Sequence, residues 1–436
     1  MSQSYSDDIV ITGIGLMSCI GIGEDAFWES VKAGQCGFRR AEHLSYVGTP
    51  DCVGGEVTDF TDKSAKKVHL SQKHVKKQIK VMCREIQLGV ASALQAVEHA
   101  GIEPGSVPAE RMGVDFGANL MSSPPEVLLD AGVAAMADGS GFRYDRWGNC
   151  GEDRFKGMEP LWLLRYLPNM PGCHIGIAVD ARGPNNSITH DEASGGLVLS
   201  EAANIIRRGR ADVMITGTTG TRLHAVKSCQ HKLWDTLAEG PVAERCRPLD
   251  KNRCGEVVAE SACTFILESR SHAEARGATI LATLLSTAAS CVLDSDGTAN
   301  EQLAIERAAT AALQRAGISA ADLGHVNMSA SGHLTRDRYE SRAIHSILAN
   351  GADSVPVTAP KSYLGSAGSG SGLSEMAVSI LGLKHGVVPR TLNFRTPDED
   401  TPLNVVADEH LVTDNKLFLK TSVTRMGQSS AVVIGV

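Results

Sequence analysis

Aromatic residues are scarce in this chain of 436 residues, at 4% of the total. The core must therefore be built from Ala, Val, Leu and Ile, while 44 glycines allow tight turns and close backbone contacts. Because 42% of the residues are hydrophobic and 21% are charged, the composition is typical of a folded globular protein. At this length, two fused α/β units are the natural expectation.

Long apolar runs, a basic stripe and clustered histidines are also missing. No run reaches the roughly 18 apolar residues that span a membrane, so we expect no membrane association. The net charge is −8, and no basic segment carries interleaved aromatic residues, which argues against nucleic acid as a partner. The histidines are scattered along the chain and do not cluster as metal ligands do, so we expect neither a metal nor a cofactor.

The cysteines and the N-terminal residues indicate the cell compartment. Eleven cysteines occur at irregular spacings without CxxC pairs, and the first residues are polar and acidic rather than basic and then apolar. We therefore expect a reducing, cytoplasmic environment. One basic cluster is present, formed by Lys66, Lys67, Lys73, Lys76 and Lys77. A solvated surface is the simpler interpretation of this cluster, and docking of an acidic carrier protein is the alternative.

Strand and helix patterns alternate along the chain. A β-branched run at 8–15 ends in glycine and precedes a helical pattern, and one long amphipathic helix is predicted over 71–100. The charged segment 269–277 divides the chain, which predicts one half at 1–268 and a second at 278–436. Residues 139–172 have no clean period, so we interpret them as an insertion at the rim of an active site.

Seven segments together carry a resemblance to a known family. They are ITGIGLMS near the start, GPNNSI at 183–188, IRRGRADVMITG at 206–217, RPLDKNRCGEVVAE at 247–260, HVNMSASGHLTRDRYESRAI at 325–344, KSYLGSAGSGSG at 361–372 and LKHGVVPRTLNF at 383–394. In this order and spacing, the chain resembles the β-ketoacyl-acyl-carrier-protein synthase II family, the elongating condensing enzymes of fatty acid and polyketide synthesis. The resemblance implies the thiolase fold, an α/β architecture of five layers (α-β-α-β-α) made of two similar halves.

The family's catalytic set is not found at the matching positions. The family uses a cysteine at the start of a buried helix to hold the acyl chain, and two histidines to stabilise the enolate formed on decarboxylation. The segment SITHDEASG places Glu192 at the position of the cysteine, and the segments NMSASGH and KSYLGS place Ser329 and Ser366 at those of the histidines. A glutamate is a poor acyl acceptor, and a serine has no proton that titrates near neutral pH. We therefore expect no catalytic residue of the family's kind.

The same alignment gives the surroundings of the pocket. The other residues expected there are His190, Asp191, Ser194, Glu340, Lys361, Val423 and Arg425. Lys361 and Glu340 match a lysine and a glutamate that form a buried pair in the family, while Val423 and Arg425 replace two gate phenylalanines. We predict that Arg425 pairs with Glu192 and plugs the acyl pocket, with Lys361 as the alternative partner.

Three functions are consistent with these substitutions. The first is a non-catalytic partner subunit similar to the chain-length factors, present as a homodimer or as a heterodimer with an active ketosynthase through an edge strand near 185–189, with an acyl carrier protein as a further partner. The second is a hydrolase or acyltransferase that reuses His190, Asp191, Glu192 and nearby serines. The third is a decarboxylase like the glutamine-bearing loading ketosynthases. Cys173 and Cys229 are poorer candidates for a substitute nucleophile, because neither falls at the helix start.

Overall fold

The computed structural model describes residues 8–41, 53–136, 139, 141–147, 161–234, 237–349, 354–400 and 402–436. The strands are β1 (Ile9–Ser18), β2 (Gly21–Ile22), β3 (Phe38–Arg40), β4 (Val53–Gly55), β5 (Met112–Ala118), β6 (Asn185–Ile188), β7 (Val213–Thr221), β8 (Glu260–Ser269), β9 (Ala282–Cys291), β10 (His325–Asn327), β11 (Val357–Thr358), β12 (Val387–Val388), β13 (Leu411–Val412), β14 (Leu417–Val423) and β15 (Gln428–Gly435).

The helices alternate with these strands along most of the chain. They are α1 (Glu24–Lys32), α2 (Asp62–Ser64), α3 (Lys73–Gln78), α4 (Arg84–His99), α5 (Pro125–Met136), α6 (Met170–Val179), α7 (Ser194–Arg207), α8 (Ala225–Trp234), α9 (Arg270–Ala275), α10 (Glu301–Ala316), α11 (Arg336–Leu348), α12 (Lys361–Leu364) and α13 (Ser371–Lys384). The single helix predicted over 71–100 is wrong. A 3₁₀ turn at Ile79–Val81 separates α3 from α4, so the two helices can follow different directions.

Eleven strands form one mixed sheet in the order β11-β10-β14-β15-β9-β1-β8-β7-β5-β6, with β2 paired to β1. The two halves of the sheet meet where residues 9–11 of β1 pair antiparallel with residues 282–284 of β9. Strands before this seam come from Ile9–Ser269 and strands beyond it from Ala282–Gly435. Because the halves share one sheet, the predicted boundary at 268–278 stays a prediction.

Helices cover the sheet in layers. Helix α4 packs on β1, β7 and β8, whereas α10 packs on β9, β14 and β15. Helices α7 and α13 pack on each other, and α7 contacts β5 and β7 of one half and β9 and β15 of the other. The order is therefore α4, first half-sheet, α7 with α13, second half-sheet, α10. This confirms the α-β-α-β-α thiolase fold.

The close packing of α4 on β1 depends on glycine in the ITGIGLMS segment. A Cβ atom added to Gly15 would lie 1.9 Å from the carbonyl oxygen of Ser92, and one added to Gly13 would lie 2.4 Å from that of Ala96. Only a residue without a side chain permits this approach. The predicted insertion at 139–172 is only partly described, because residues 148–160 lie outside the described residues.

Candidate functional site

The three positions that the alignment singled out lie together at the ends of different elements. Glu192 is in a 3₁₀ turn (Asp191–Ala193) that leads into α7, Ser329 follows β10, and Ser366 follows α12. All three line one small cavity with Lys361 and Val423. The cavity volume is about 10 Å³, which is enough for a single water molecule.

Arg222, which follows β7, is the central cation of this site. Its side chain is 3% exposed, and its Nη2 atom lies 2.5 Å from Glu192 Oε1 and 3.0 Å from Asp191 Oδ2. Its Nη1 atom donates to Ser366 Oγ and lies 3.4 Å from Glu256 Oε2. We refer to Arg222, Asp191, Glu192, Glu256 and Ser366 as the Arg222 network. It joins the position of the family's cysteine to that of its second histidine.

The electrostatics of the Arg222 network keep its buried carboxylates ionised. Burial alone would raise the pKa of Glu192, but Arg222, followed by Arg336 and Lys361, lowers that pKa to about 2. The pKa of Glu256 is also well below its ordinary value, because Arg222 and His231 outweigh the effect of burial. Glu192 is thus an anion held by cations, not an acid ready to accept or release a proton.

The predicted pair between Glu192 and Arg425 is wrong. Glu192 pairs with Arg222, while the guanidinium of Arg425 lies 4.8 Å from the ring centre of Trp234 at the end of α8. Arg222 is the counterion of Glu192 because it follows the end of β7, which directs its side chain toward the start of α7. Arg425 instead lies beyond β14, in a turn at the surface. Val423, the other gate position, is buried and lines the cavity as expected.

Lys361 also has a different partner from the one predicted. Its Nζ atom lies 2.8 Å from Glu375 Oε1 and donates to the carbonyl oxygen of Ser329 at 2.7 Å and to its hydroxyl at 2.9 Å. Glu375 also pairs with Lys420. Glu340 instead accepts from the backbone N–H of Ser329 at 2.8 Å and from Thr421. We refer to Lys361, Glu375, Lys420, Glu340 and Ser329 as the Lys361 network.

The remaining predicted pocket residues are not all in the cavity. His190 is exposed, and its Nδ1 atom lies 3.1 Å from Gln428 Oε1. Ser194 is buried at the start of α7, accepts from the backbone N–H of His190 and lies 3.2 Å from Ser369 Oγ. Asp191 has a φ of 44°, a left-handed conformation that turns its carboxylate toward Arg222. Of these three residues, only Asp191 contacts Arg222.

Comparison with known sequences decides the family. The profile "Beta-ketoacyl synthase, N-terminal domain" matches residues 6–273, and "Beta-ketoacyl synthase, C-terminal domain" matches residues 281–395. The chain belongs to the beta-ketoacyl synthase family. The resemblance inferred from the seven segments is thereby confirmed.

Individual relatives agree with this assignment. The ketoacyl synthase alpha subunit of the tetracenomycin polyketide synthase from Streptomyces glaucescens is 29% identical over 409 residues, which cover 93% of this chain and 92% of the relative. The ishigamide ketosynthase/chain length factor has a similar fold, with a TM-score of 0.82 at 23% identity and 99% coverage of both chains. A solved complex of a type II polyketide synthase acyl-carrier protein with its ketosynthase also has a similar fold. Its TM-score is 0.80, at 23% identity and 99% coverage of both chains.

Ser329 and Ser366 could act as nucleophiles only if a nearby base accepted the hydroxyl proton. Ser329 Oγ lies within hydrogen-bonding distance of Lys361 Nζ, the arrangement of a serine–lysine dyad. Lys361 Nζ is paired with Glu375 and donates to the carbonyl and hydroxyl oxygens of Ser329, so it faces Ser329 Oγ as a donor and not as a base. Ser366 accepts from the permanently charged Arg222. Neither serine therefore has a proton acceptor suited to activating it among these contacts.

Thiol chemistry is also disfavoured near the cavity. Cys246 lies behind the site, where its Sγ atom contacts the carbonyl oxygens of Lys361 at 3.3 Å and Ser331 at 3.5 Å. Burial raises the pKa of Cys246 well above its ordinary value, so the reactive thiolate is suppressed. Cys173 in α6 and Cys229 in α8 do not line the cavity.

Sequence reasoning missed Arg222, Glu256, Glu375 and Lys420. A signal for three of them was present, because each is the lone charged residue in an otherwise uncharged run. Arg222 is the only charge in 213–223, Glu375 the only charge between residues 362 and 383, and Lys420 the only charge between residues 417 and 423. A charge in such a run needs a buried counterion, so these residues are candidates for pairing with one another or with Glu192.

The described residues contain neither a metal-binding cluster nor a membrane-spanning helix. No group of three or more His, Cys, Asp or Glu side chains there is arranged to hold a metal ion. No helix within the same ranges combines the length and the apolar character needed to cross a membrane.

Proposed function

We propose that this chain is a non-condensing beta-ketoacyl synthase that acts as the partner subunit of an active ketosynthase in polyketide or fatty acid synthesis, as chain-length factors do. The observation that carries the proposal is the ion pair between Glu192 and Arg222 at the position of the acyl-accepting cysteine. A carboxylate neutralised in this way is a poor nucleophile, and a mixed anhydride formed on it would be far more reactive than a thioester.

The positions of the two histidines support the same proposal. Decarboxylation of a malonyl thioester requires donors aimed at the developing enolate oxygen. Ser329 and Ser366 stand at those positions, where their hydroxyl oxygens accept from Lys361 and Arg222, and both shorter side chains line a cavity that is too small for a substrate. Ligand pockets usually enclose roughly 300–1,000 Å³. The cavity here encloses about 10 Å³, so an acyl chain has no room beside Glu192.

The surface of the first half-sheet supports assembly with another subunit. Strand β6 is the last strand of the sheet among the described residues, and residues 185 and 186 are exposed, so its outer edge is a candidate for pairing. Nearby along the chain, Leu120 is 72% exposed, and α5 presents Leu129, Val133 and Met136 to solvent. Large apolar side chains exposed in such numbers mark a protein interface. Leu120 lies in the segment 117–121, which in the family reaches toward the partner's pocket.

A carrier protein is the second partner that we propose. The five lysines of the basic cluster are all exposed, and residues 63–80 contain no acidic side chain. Ala65, Leu70, Val75 and Ile79 are buried beneath them and fix the segment on the fold. A fixed cationic surface on a chain of net charge −8 attracts an acidic protein by complementary charge.

The test is reconstitution with the chain alone and with an active ketosynthase. Alone, the protein should neither condense an acyl thioester with malonyl carrier protein nor release carbon dioxide above background, and intact mass should show no acyl adduct. With an active ketosynthase as its partner, it should form a stable complex and alter product chain length. Turnover or a Glu192 adduct in the isolated chain would contradict the proposal. Glu192→Gln serves as the matched control, since it also lacks a nucleophile but removes the charge.

A further inference from the structure

Asp115 is a buried acid that the Arg222 and Lys361 networks do not use. It lies on β5, and its side chain is fully buried. Both carboxylate oxygens lack a hydrogen-bond partner among the described residues. In the same ranges, no lysine, arginine or histidine comes within ion-pairing distance of them. A buried carboxylate without partners costs several kcal/mol, so this arrangement favours the neutral form.

The direction of Asp115 places it under α7. Its neighbours in sequence, Val114 and Phe116, pack in the core on the α4 side of the sheet. Side chains alternate along a strand, so Asp115 faces the opposite side. A Cβ atom added to Gly117, which shares this face, would meet Ser194 at the start of α7 and Thr218 on β7. The acid is thus enclosed between the first half-sheet and the central helix layer.

The groups around Asp115 offer it no positive charge. Its register partners are Thr216 on β7 and Asn186 on the edge strand β6, and both are neutral. The charged group that acts on it from α7 is Glu201, another acid, which is paired with Arg208 at 3.1 Å. Burial, followed by repulsion from Glu201, raises the pKa of Asp115 from about 4 to about 8.

We propose that Asp115 is a pH-sensitive switch beside the assembly edge: it is a protonated carboxylic acid in the folded chain, and its ionisation loosens β5 and β6. On ionisation, the O–H bond breaks and the proton passes to solvent, leaving an anion between neutral strand partners and α7, from which Glu201 repels it. The consequence for assembly rests on the proposed function, because β6 is the edge through which subunits would pair. The protonation itself concerns this chain alone.

Urea unfolding of the wild-type protein and Asp115→Asn across the neutral range tests the switch. The folded chain binds one more proton than the unfolded chain between the ordinary pKa of 3.8 and about 8, so wild-type stability should fall as pH rises through this window. The ratio of the two unfolding constants should change about tenfold per pH unit and level off above the window. A pH-independent ratio would overturn the inference. Asp25→Asn, an exposed substitution in α1, should follow the wild type.

If Asp115→Asn does not fold, infrared spectroscopy of the wild-type protein can report the protonation of Asp115 directly. The carbonyl band of a protonated carboxyl should be present near neutral pH and lost in alkaline solution, and its absence near neutral pH would also overturn the inference. Sedimentation then measures the consequence, since the assembled fraction should decline with pH in the wild type and not in Asp115→Asn. A protein that is monomeric at every pH, alone and with a ketosynthase, would count against the proposed assembly. The infrared band would still decide the state of Asp115.

Discussion

The Arg222 network and the Lys361 network balance charge in different ways. In the first, three carboxylates contact a single guanidinium, and one of them, Asp191, has a side chain that is 42% exposed. In the second, two lysines share Glu375 at distances typical of charge-assisted hydrogen bonds, with Glu340 close by, and all four charged side chains are enclosed. Among its own members the Arg222 network thus has more carboxylates than cations, with Arg336 and His231 acting on them from outside it, whereas the Lys361 network is close to neutral.

This difference shows what each network can tolerate. A surplus of acid beside solvent can be relieved when a carboxylate takes up a proton, so the Arg222 network should respond to pH. The Lys361 network is enclosed and balanced, so removing one member leaves uncompensated charge in a low dielectric. The Lys361 network therefore holds the second half-sheet and α13 together, while the Arg222 network fills the position of the reactive groups.

The largest effect is expected from Glu375→Gln. This change leaves Lys361 and Lys420 facing each other without the carboxylate that they share, and neither ammonium reaches water. The free energy of unfolding should fall by roughly 3–5 kcal/mol in urea denaturation. As a control, Glu29→Gln breaks an exposed pair with Lys32 and should cost less than about 1 kcal/mol. Equal losses in the two variants would contradict the distinction between enclosed and exposed pairs.

A smaller loss is expected from Arg222→Met, about 3 kcal/mol at neutral pH. The guanidinium is removed from three carboxylates, but protonation of those carboxylates can relieve part of the repulsion. The loss should therefore shrink as pH falls, which equilibrium unfolding at several pH values can measure. The double variant Arg222→Met with Glu192→Gln should recover part of the stability. A loss that is the same at every pH would show that charge surplus does not govern this network.

The loss of unfolding free energy at acidic pH, which we call the acid limb of the stability curve, reports the ionisation of Glu192. Its pKa is lowered from 4.5 to about 2, so its contribution is fully present above the unfolded value and is lost as pH falls from 4.5 through about 2. The contribution corresponds to roughly 3 kcal/mol. In Glu192→Gln this part of the acid-induced loss should disappear, as followed by urea unfolding between neutral and strongly acidic pH. An unchanged acid limb would mean that Arg222 does not hold Glu192 as an anion.

Much of the fold was accessible from sequence because its signals are local and ordered. The 44 glycines predicted close backbone contacts in general, and Gly15 makes one with Ser92. The break between α3 and α4 was not accessible, since the amphipathic period continues across the 3₁₀ turn at Ile79–Val81. Local periodicity does not report a change in helix direction, which depends on packing against the sheet.

The sequence predicted which residues line the cavity but not which ion pairs they form. The alignment brought Glu192, Ser329 and Ser366 together, and all three line one cavity. It paired Glu192 with Arg425 because their family counterparts touch, yet the cation at Glu192 is Arg222, some 30 residues away at the end of a strand. Opposite charges at neighbouring positions do not establish an ion pair, because side-chain direction and competing partners decide it. Nothing in the local sequence reports either.

The smallest effect is expected from Arg425→Ala. Had Arg425 been the counterion of Glu192, its removal would cost several kcal/mol through an orphaned buried charge. One of its contacts is with the ring of Trp234, which is 56% exposed, and cation–π contacts at such sites contribute about 0.5–1 kcal/mol. We therefore expect a loss of about 1 kcal/mol in urea unfolding, and a similar loss in Trp234→Leu with no further loss in the double variant. The acid limb assigned to Glu192 should be unchanged in Arg425→Ala, because Arg222 remains in place. A loss of unfolding free energy above about 3 kcal/mol, together with altered stability at acidic pH, would instead show that Arg425 is a counterion of Glu192.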